Sequence, residues 1–185
     1  MKLHWSPRSP FVRKVMIVAH ELGLTDRIDC VRTVVATTRP HVPLMEENPL
    51  SKSLRSCSTT APCSTISPVI CEYLDSLHSG RKLVPRDGKE RMTALRRQAL
   101  GDGFLDFLLL LRNERERTHP SPVHVATFGT KKLAVLKALD KEAGDLATSP
   151  FTVGHIAIGC ALSYLDFRFG DEDWRGRSPR YRALA

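Results

Sequence analysis

Lys2-Leu3-His4-Trp5-Ser6-Pro7-Arg8-Ser9-Pro10-Phe11-Val12-Arg13-Lys14-Val15 opens the chain and decides how its first half folds. Four residues of strand character lead into a turn rich in serine and proline. Phe11, Val15, Val18, Ala19 and Leu22 then recur at helical spacing. Ser9 is a good N-cap, and Pro10 suits the first helical position, where its missing N–H costs no intrahelical bond. Gly23 supplies the stop, so the spacing predicts a helix over 10–22. Ile28 to Val35 is rich in β-branched residues and reads as a second strand. The first 35 residues thus form a β-α-β unit whose two strands are parallel.

Beyond that unit, prolines at 40, 43 and 49 leave room only for a short helix near Leu44-Met45-Glu46-Glu47. The window 53–66 holds seven Ser or Thr, two Cys and only two large aliphatics, which gives it neither strand alternation nor a helical face. A second Ser-Pro pair, Ser67-Pro68, opens a helix with Val69, Ile70, Tyr73, Leu74 and Leu77 on one face. After the connector 79–88 the pattern is helical throughout. Met92, Leu95, Ala99, Gly103, Phe107 and Leu110 share one segment, and Leu133, Leu136, Leu139, Ala143 and Leu146 another, with a weaker pattern over 118–130. The segment from Val153 to Leu165 is apolar on a wide face and reads as the buried central helix, opened by Thr152 as cap with His155 three residues on.

The length of 185 residues and apolar content of 42% allow one large domain or two small ones and argue against wholesale disorder. The longest apolar runs, such as Val15 to Ala19, fall far short of the ~20 residues of a membrane span. The first residues lack the succession of a secretory signal, so a cytoplasmic, reducing location is expected. Cys30, Cys57, Cys63, Cys71 and Cys160 make no C-x-x-C pair and read as reduced, mostly buried thiols. Seven scattered histidines with no i, i+4 pair give no metal site. The formal net charge of +8 suits anionic partners, but the Arg112 to Arg117 stretch alternates its signs as a solvated helix end does, and no nucleic-acid module accompanies it. Asp102, Asp106 and Glu114 read as surface charges.

The two Ser-Pro helix starts carry the chemistry. Each sets a hydroxyl and backbone N–H groups at the positive end of a helix dipole, where a thiolate or carboxylate is stabilised; plain capping is the competing account.

In these stretches the chain resembles the bacterial glutathione transferases. Residues 3–15 look like that family's first strand and helix, and Glu46-Glu47-Asn48-Pro49-Leu50-Ser51-Lys52 like the approach to its third strand. Ser67 to Leu74 is similar to its glutathione-binding helix start; Phe151 to Ala157 and Leu165-Asp166-Phe167 match further on. The resemblance implies an α+β protein with a thioredoxin-like α/β domain over 1–78, a linker over 79–88 and an all-helical bundle over 89–185. It implies a homodimer that conjugates glutathione, as co-substrate, to a small hydrophobic electrophile lying near Phe11 and Phe104 to Leu108. By the same resemblance Ser9 stabilises the thiolate, with Ser6 as the fallback. Ser67 binds the γ-glutamyl carboxylate, and Lys52 and Ser53 lie along the ligand. The chain departs from the family at Leu54, where a cis-proline is usual, and at Ile66, where an acidic residue is usual. A compensated reading-frame shift would explain altered residues over 53–66 at constant length, and the basic end 175–185 reads as truncated. The rival expectation is a non-catalytic dimeric binding or scaffold protein that keeps the fold.

Overall fold

Strand β1 (Lys2–Trp5) runs parallel to β2 (Asp29–Arg32), with Lys2 opposite Asp29 and Trp5 opposite Arg32, and helix α1 (Pro10–Glu21) makes the crossover. The structure is a computed structural model and describes residues 1–35, 41–48, 56–57, 66–86 and 88–176. Ser9 caps α1 in extended conformation, its Oγ accepting the Val12 N–H at 3.3 Å. At the other end Gly23 takes φ +64°, where a side chain would be strained. Its N–H donates to the His20 carbonyl, and the Leu24 N–H to that of Ala19 at 2.8 Å, the paired bonds that close a helix through a left-handed residue. Strand β2 is shorter than the β-branched run suggests, although the Thr33 N–H still donates to the Trp5 carbonyl.

Helix α2 (Val42–Glu47) lies where the prolines leave room, begun by His41, whose Nδ1 accepts the Leu44 N–H at 3.1 Å. Ser56–Cys57 forms β3, antiparallel to β1 on its other side, giving the order β2-β1-β3 among the described residues. Composition assigns no strand to this window. Backbone pairing with Lys2 and Leu3 makes one regardless, because the ladder uses groups every residue carries.

Helix α3 (Ser67–Ser76) buries Ser67, Ile70, Cys71, Leu74 and Asp75, so its inner face is rotated from the expected one and Val69 points outward. Buried Asp75 accepts the Leu83 N–H at 2.7 Å, which folds the connector back on α3. The Leu83 carbonyl in turn accepts the Val153 N–H.

Three long helices complete the chain: α4 (Gly88–Arg115), α5 (Pro122–Thr148) and α6 (Val153–Arg168). Helix α6 is buried along nearly its whole length, as its apolar face requires. The inner face of α4 is not the expected one. Ala94, Arg97, Gln98, Gly101, Phe104, Leu105, Leu108 and Leu111 are buried, while Met92 and Leu110 are exposed. Gly101 and Gly154 explain the register. A Cβ on Gly101 would come within 2.6 Å of the Ala157 backbone, and one on Gly154 within 2.9 Å of the Ala94 carbonyl oxygen. The α4 and α6 backbones therefore meet at glycines. Buried Arg97 is satisfied by Glu142 at 3.1 Å and Ser149 Oγ at 2.9 Å. Helix α5 starts within the stretch of weak pattern, at the cap Ser121, whose own N–H donates to Glu114 at 2.7 Å. Glu114 is thus not a surface charge but a buried acceptor for the α4–α5 turn. One continuous core joins Leu3, Val15 and Ile70 of the first half to Phe104, Leu136 and Leu165 of the second.

Candidate functional site

The two Ser-Pro pairs start their helices in different frames. In α1, Ser9 is the cap and Pro10 the first helical residue. In α3 the cap is Ile66, extended at φ −122° and ψ 133°, and Ser67 is the first helical residue; the first helical bond runs from the Ile70 N–H to the Ile66 carbonyl. Isoleucine has no acceptor to offer. The first-turn N–H groups of Ser67 and Val69, which have no partner within the helix, therefore lack side-chain capping from Ile66, while Pro68 has none to donate. Ser67 itself is buried, and Ile66 and Val69 are exposed. Helices α1 and α3 pack on one another through a shared core that includes Val15, Val18, Ile70 and Leu74.

Ser9 does serve as a cap, but capping uses only its lone pair. An Oγ that accepts the Val12 N–H keeps its own proton for an outgoing bond, which is what stabilisation of a thiolate needs. Ser6 sits in the same turn, its carbonyl accepting the Ser9 N–H at 3.1 Å. Lys52, Ser53 and Leu54 lie outside the described residues.

Phe104, Leu105 and Leu108 are interior residues of the core, at most 1% exposed, whereas Phe11 and Phe107 are half-buried. Asp102, expected as a surface charge, is not one. Its two carboxylate oxygens each lie 2.6 Å from Nζ of Lys14, a lysine with no exposed side-chain surface. Burial pushes the Asp102 carboxyl up, against the opposing charge of Lys14. The sequence gives little warning of this pair, since Lys14 follows Arg13 and borders the apolar stripe at Val15.

Of the cysteines, Cys30 is exposed, against the expectation of a mostly buried set, while Cys71 and Cys160 are buried. Burial pushes the Cys71 thiol up to about 12 and the Cys160 thiol up to about 11, leaving both protonated. At the α6 start the His155 Nδ1 accepts the Thr152 N–H at 3.1 Å, and its Nε2 lies 3.1 Å from the Leu146 carbonyl oxygen. Among the described residues there is no group of three or more His, Cys, Asp or Glu placed to hold a metal ion. No helix among them is long and apolar enough to cross a membrane.

A parallel β-α-β unit extended by an antiparallel strand, followed by a bundle of long helices, defines a thioredoxin-like α/β part joined to an all-helical part, the glutathione transferase fold. Residues 131–184 match the family model of the glutathione S-transferase C-terminal domain. The chain is 30% identical over 181 residues to the uncharacterised GST-like protein YibF of Escherichia coli K12, covering 94% of this chain and 86% of that one. A glutathione transferase family member from Pseudomonas fluorescens Pf-5, solved with bound glutathione, superposes with a TM-score of 0.93 at 34% identity, over 99% of this chain and 91% of that one. A glutathione S-transferase of Methylobacillus flagellatus KT, solved with glutathione bound, gives 0.83 at 29%, over 97% and 89%. The chain belongs to the glutathione transferase family, with relatives among the bacterial members.

Proposed function

We propose that this protein is a serine-type glutathione transferase whose ligand lies across the starts of α1 and α3. Residues 1–78 act as the glutathione-binding domain, 79–88 as the linker and 89–185 as the helical domain of a cytoplasmic homodimer. Ser67, with the first-turn N–H groups of α3, takes the γ-glutamyl carboxylate. The Ser53 backbone pairs with the cysteinyl part, Lys52 lies near the glycyl end, and the Ser9 hydroxyl donates to the sulfur.

A free thiol has a pKa near ~8.5, and a hydrogen-bond donor at a helix N-terminus raises its thiolate fraction at neutral pH. The thiolate then attacks an electrophilic carbon. A carbon–sulfur bond forms, the leaving group departs with its electron pair, and the thiol proton passes to solvent.

The observation that carries this reading is the α3 start, a buried serine at the first helical position behind a cap residue whose side chain can accept no hydrogen bond. Calorimetric titration with glutathione tests it. Wild-type protein is expected to bind. Ser67→Ala should weaken binding about tenfold or more, since a hydrogen bond to a charged group contributes ~1.5–3 kcal/mol. Ser9→Ala should raise the pKa of the bound thiol. Absence of binding at millimolar glutathione, or a Ser67→Ala variant that binds as wild type, overturns the reading.

The exposed Ile66 at the cap favours a second reading, a non-catalytic binding or scaffold protein, because its side chain cannot pair with the ligand's ammonium group. A folded protein that neither binds glutathione at millimolar ligand nor conjugates any electrophile in a panel would support it.

A further inference from the structure

Lys14 and Asp102 join α1 to α4 across 88 residues of sequence. The lysine is wholly buried and meets both oxygens of the carboxylate at the same short distance. Helix α1 packs on α3 and α6, and α4 packs on α6, so a bond from α1 to α4 lies near the meeting of four helices. One residue before Asp102, Gly101 presses on the Ala157 backbone.

Such a pair is a poor source of stability. Desolvating two ions offsets much of their attraction, and apolar replacements of similar volume often do as well or better. An apolar contact tolerates sliding, whereas a wholly buried ammonium must stay on its carboxylate, because any shift that parts them strands a charge in the interior. Ser9 stands at the head of the same helix, five residues and about 7.5 Å of helical rise from Lys14.

We infer that Lys14 is a positioning residue, whose bond to Asp102 fixes α1 against α4 in a single register and so sets the place of the Ser9 hydroxyl. The inference rests on the reading of the α1 start as part of the glutathione site. The register itself can be measured without a ligand.

The test uses the full chain with Lys14→Met, Asp102→Leu and the double variant. Each single variant should lower the urea midpoint, because it strands one charge in the interior. The double variant should recover the wild-type midpoint. It should nevertheless exchange the Val12 and Arg13 amides about tenfold faster than wild type, with α6 amides unchanged, as expected of a local opening. Its affinity for glutathione should fall about tenfold, in keeping with the cost of small misplacements at a site. A double variant with wild-type exchange at Val12 and Arg13 overturns the inference. If the double variant does not fold, the near-isosteric Asp102→Asn decides: faster exchange at those two amides supports the inference, and wild-type exchange overturns it. Should wild-type protein fail to bind glutathione, the functional reading falls while the exchange result still judges the register.

Discussion

Helix α6 begins with side chains that engage its first backbone donors, whereas α3 begins with an isoleucine whose side chain has no acceptor to offer. At α6 the Thr152 N–H and the imidazole of His155 close on one another at 3.1 Å, the far ring nitrogen reaches the Leu146 carbonyl, and Gly154 seats the turn against α4. At α3 the cap is Ile66, and the serine that follows is buried at the first helical position. Both starts face the same difficulty, first-turn N–H groups without intrahelical partners, though Pro68 takes one away from α3. A start that engages its own donors contributes to folding. One whose cap side chain offers no acceptor can contribute to binding, because an incoming carboxylate can accept from the first-turn N–H groups.

The largest effect that would separate the two starts is expected from Gly154→Ala. Its Cβ would fall 2.7 Å from the Arg97 Cβ and 2.9 Å from the Ala94 carbonyl oxygen, and α4 cannot yield there without disturbing its own hydrogen bonds. Overpacking of this kind costs about 1–3 kcal/mol, read as a lower urea midpoint. An unchanged midpoint would mean that the two helices are not locked at this glycine. His155→Ala should come next. It removes the acceptor of the Thr152 N–H and the contact with Leu146, a loss of about 1–2 kcal/mol. Glutathione affinity of the folded variant should not move, and a change there would mean that the α6 start does more than fold the chain.

At α3 a substitution should act in the opposite direction. Ile66→Asp supplies the missing acceptor for a first-turn N–H and places a negative charge at the positive end of the helix, which should raise stability by about 1 kcal/mol. Ile66 is exposed, so little burial is lost. A midpoint that does not rise would show that the donors of α3 are already engaged and that its start is not open.

Much of this was legible in the residues. The β1-α1-β2 unit, the Ser9 cap, the Gly23 stop and the buried character of α6 all follow from local chemistry, and local propensity and tertiary packing agree there. Helix α4 was not legible in the same way. Phe104-Leu105-Asp106-Phe107-Leu108-Leu109-Leu110-Leu111 is apolar on every side, so periodicity cannot choose a face. What chooses it is close approach at Gly101 and the satisfaction of Arg97 by Glu142 and Ser149, both matters of partners distant in sequence. Lys14 was hidden for the same reason, since its partner lies on another helix. The frame of the α3 start was hidden too: Ser-Pro reads alike whether serine caps the helix or follows the cap.

The smallest of the expected effects is a pH dependence carried by the α6 start alone. His155 can accept the Thr152 N–H only while Nδ1 is unprotonated. Burial first, then the charges of Arg97 and Arg81, hold its pKa below the ordinary histidine value, against the opposing bond to the Leu146 carbonyl. The unfolded chain therefore takes up the proton more readily than the folded one. The stability that His155 contributes is complete above about pH 6.5 and is lost as the pH falls from there toward the lower folded-state value. Ser67 and Ile66 do not titrate, so the α3 start contributes no such dependence. Urea midpoints followed from about pH 8 to about pH 5 should fall more steeply for wild type than for His155→Ala. Parallel curves would mean that the imidazole is not the acceptor at the α6 start, and the contrast with α3 would then rest on Gly154 alone.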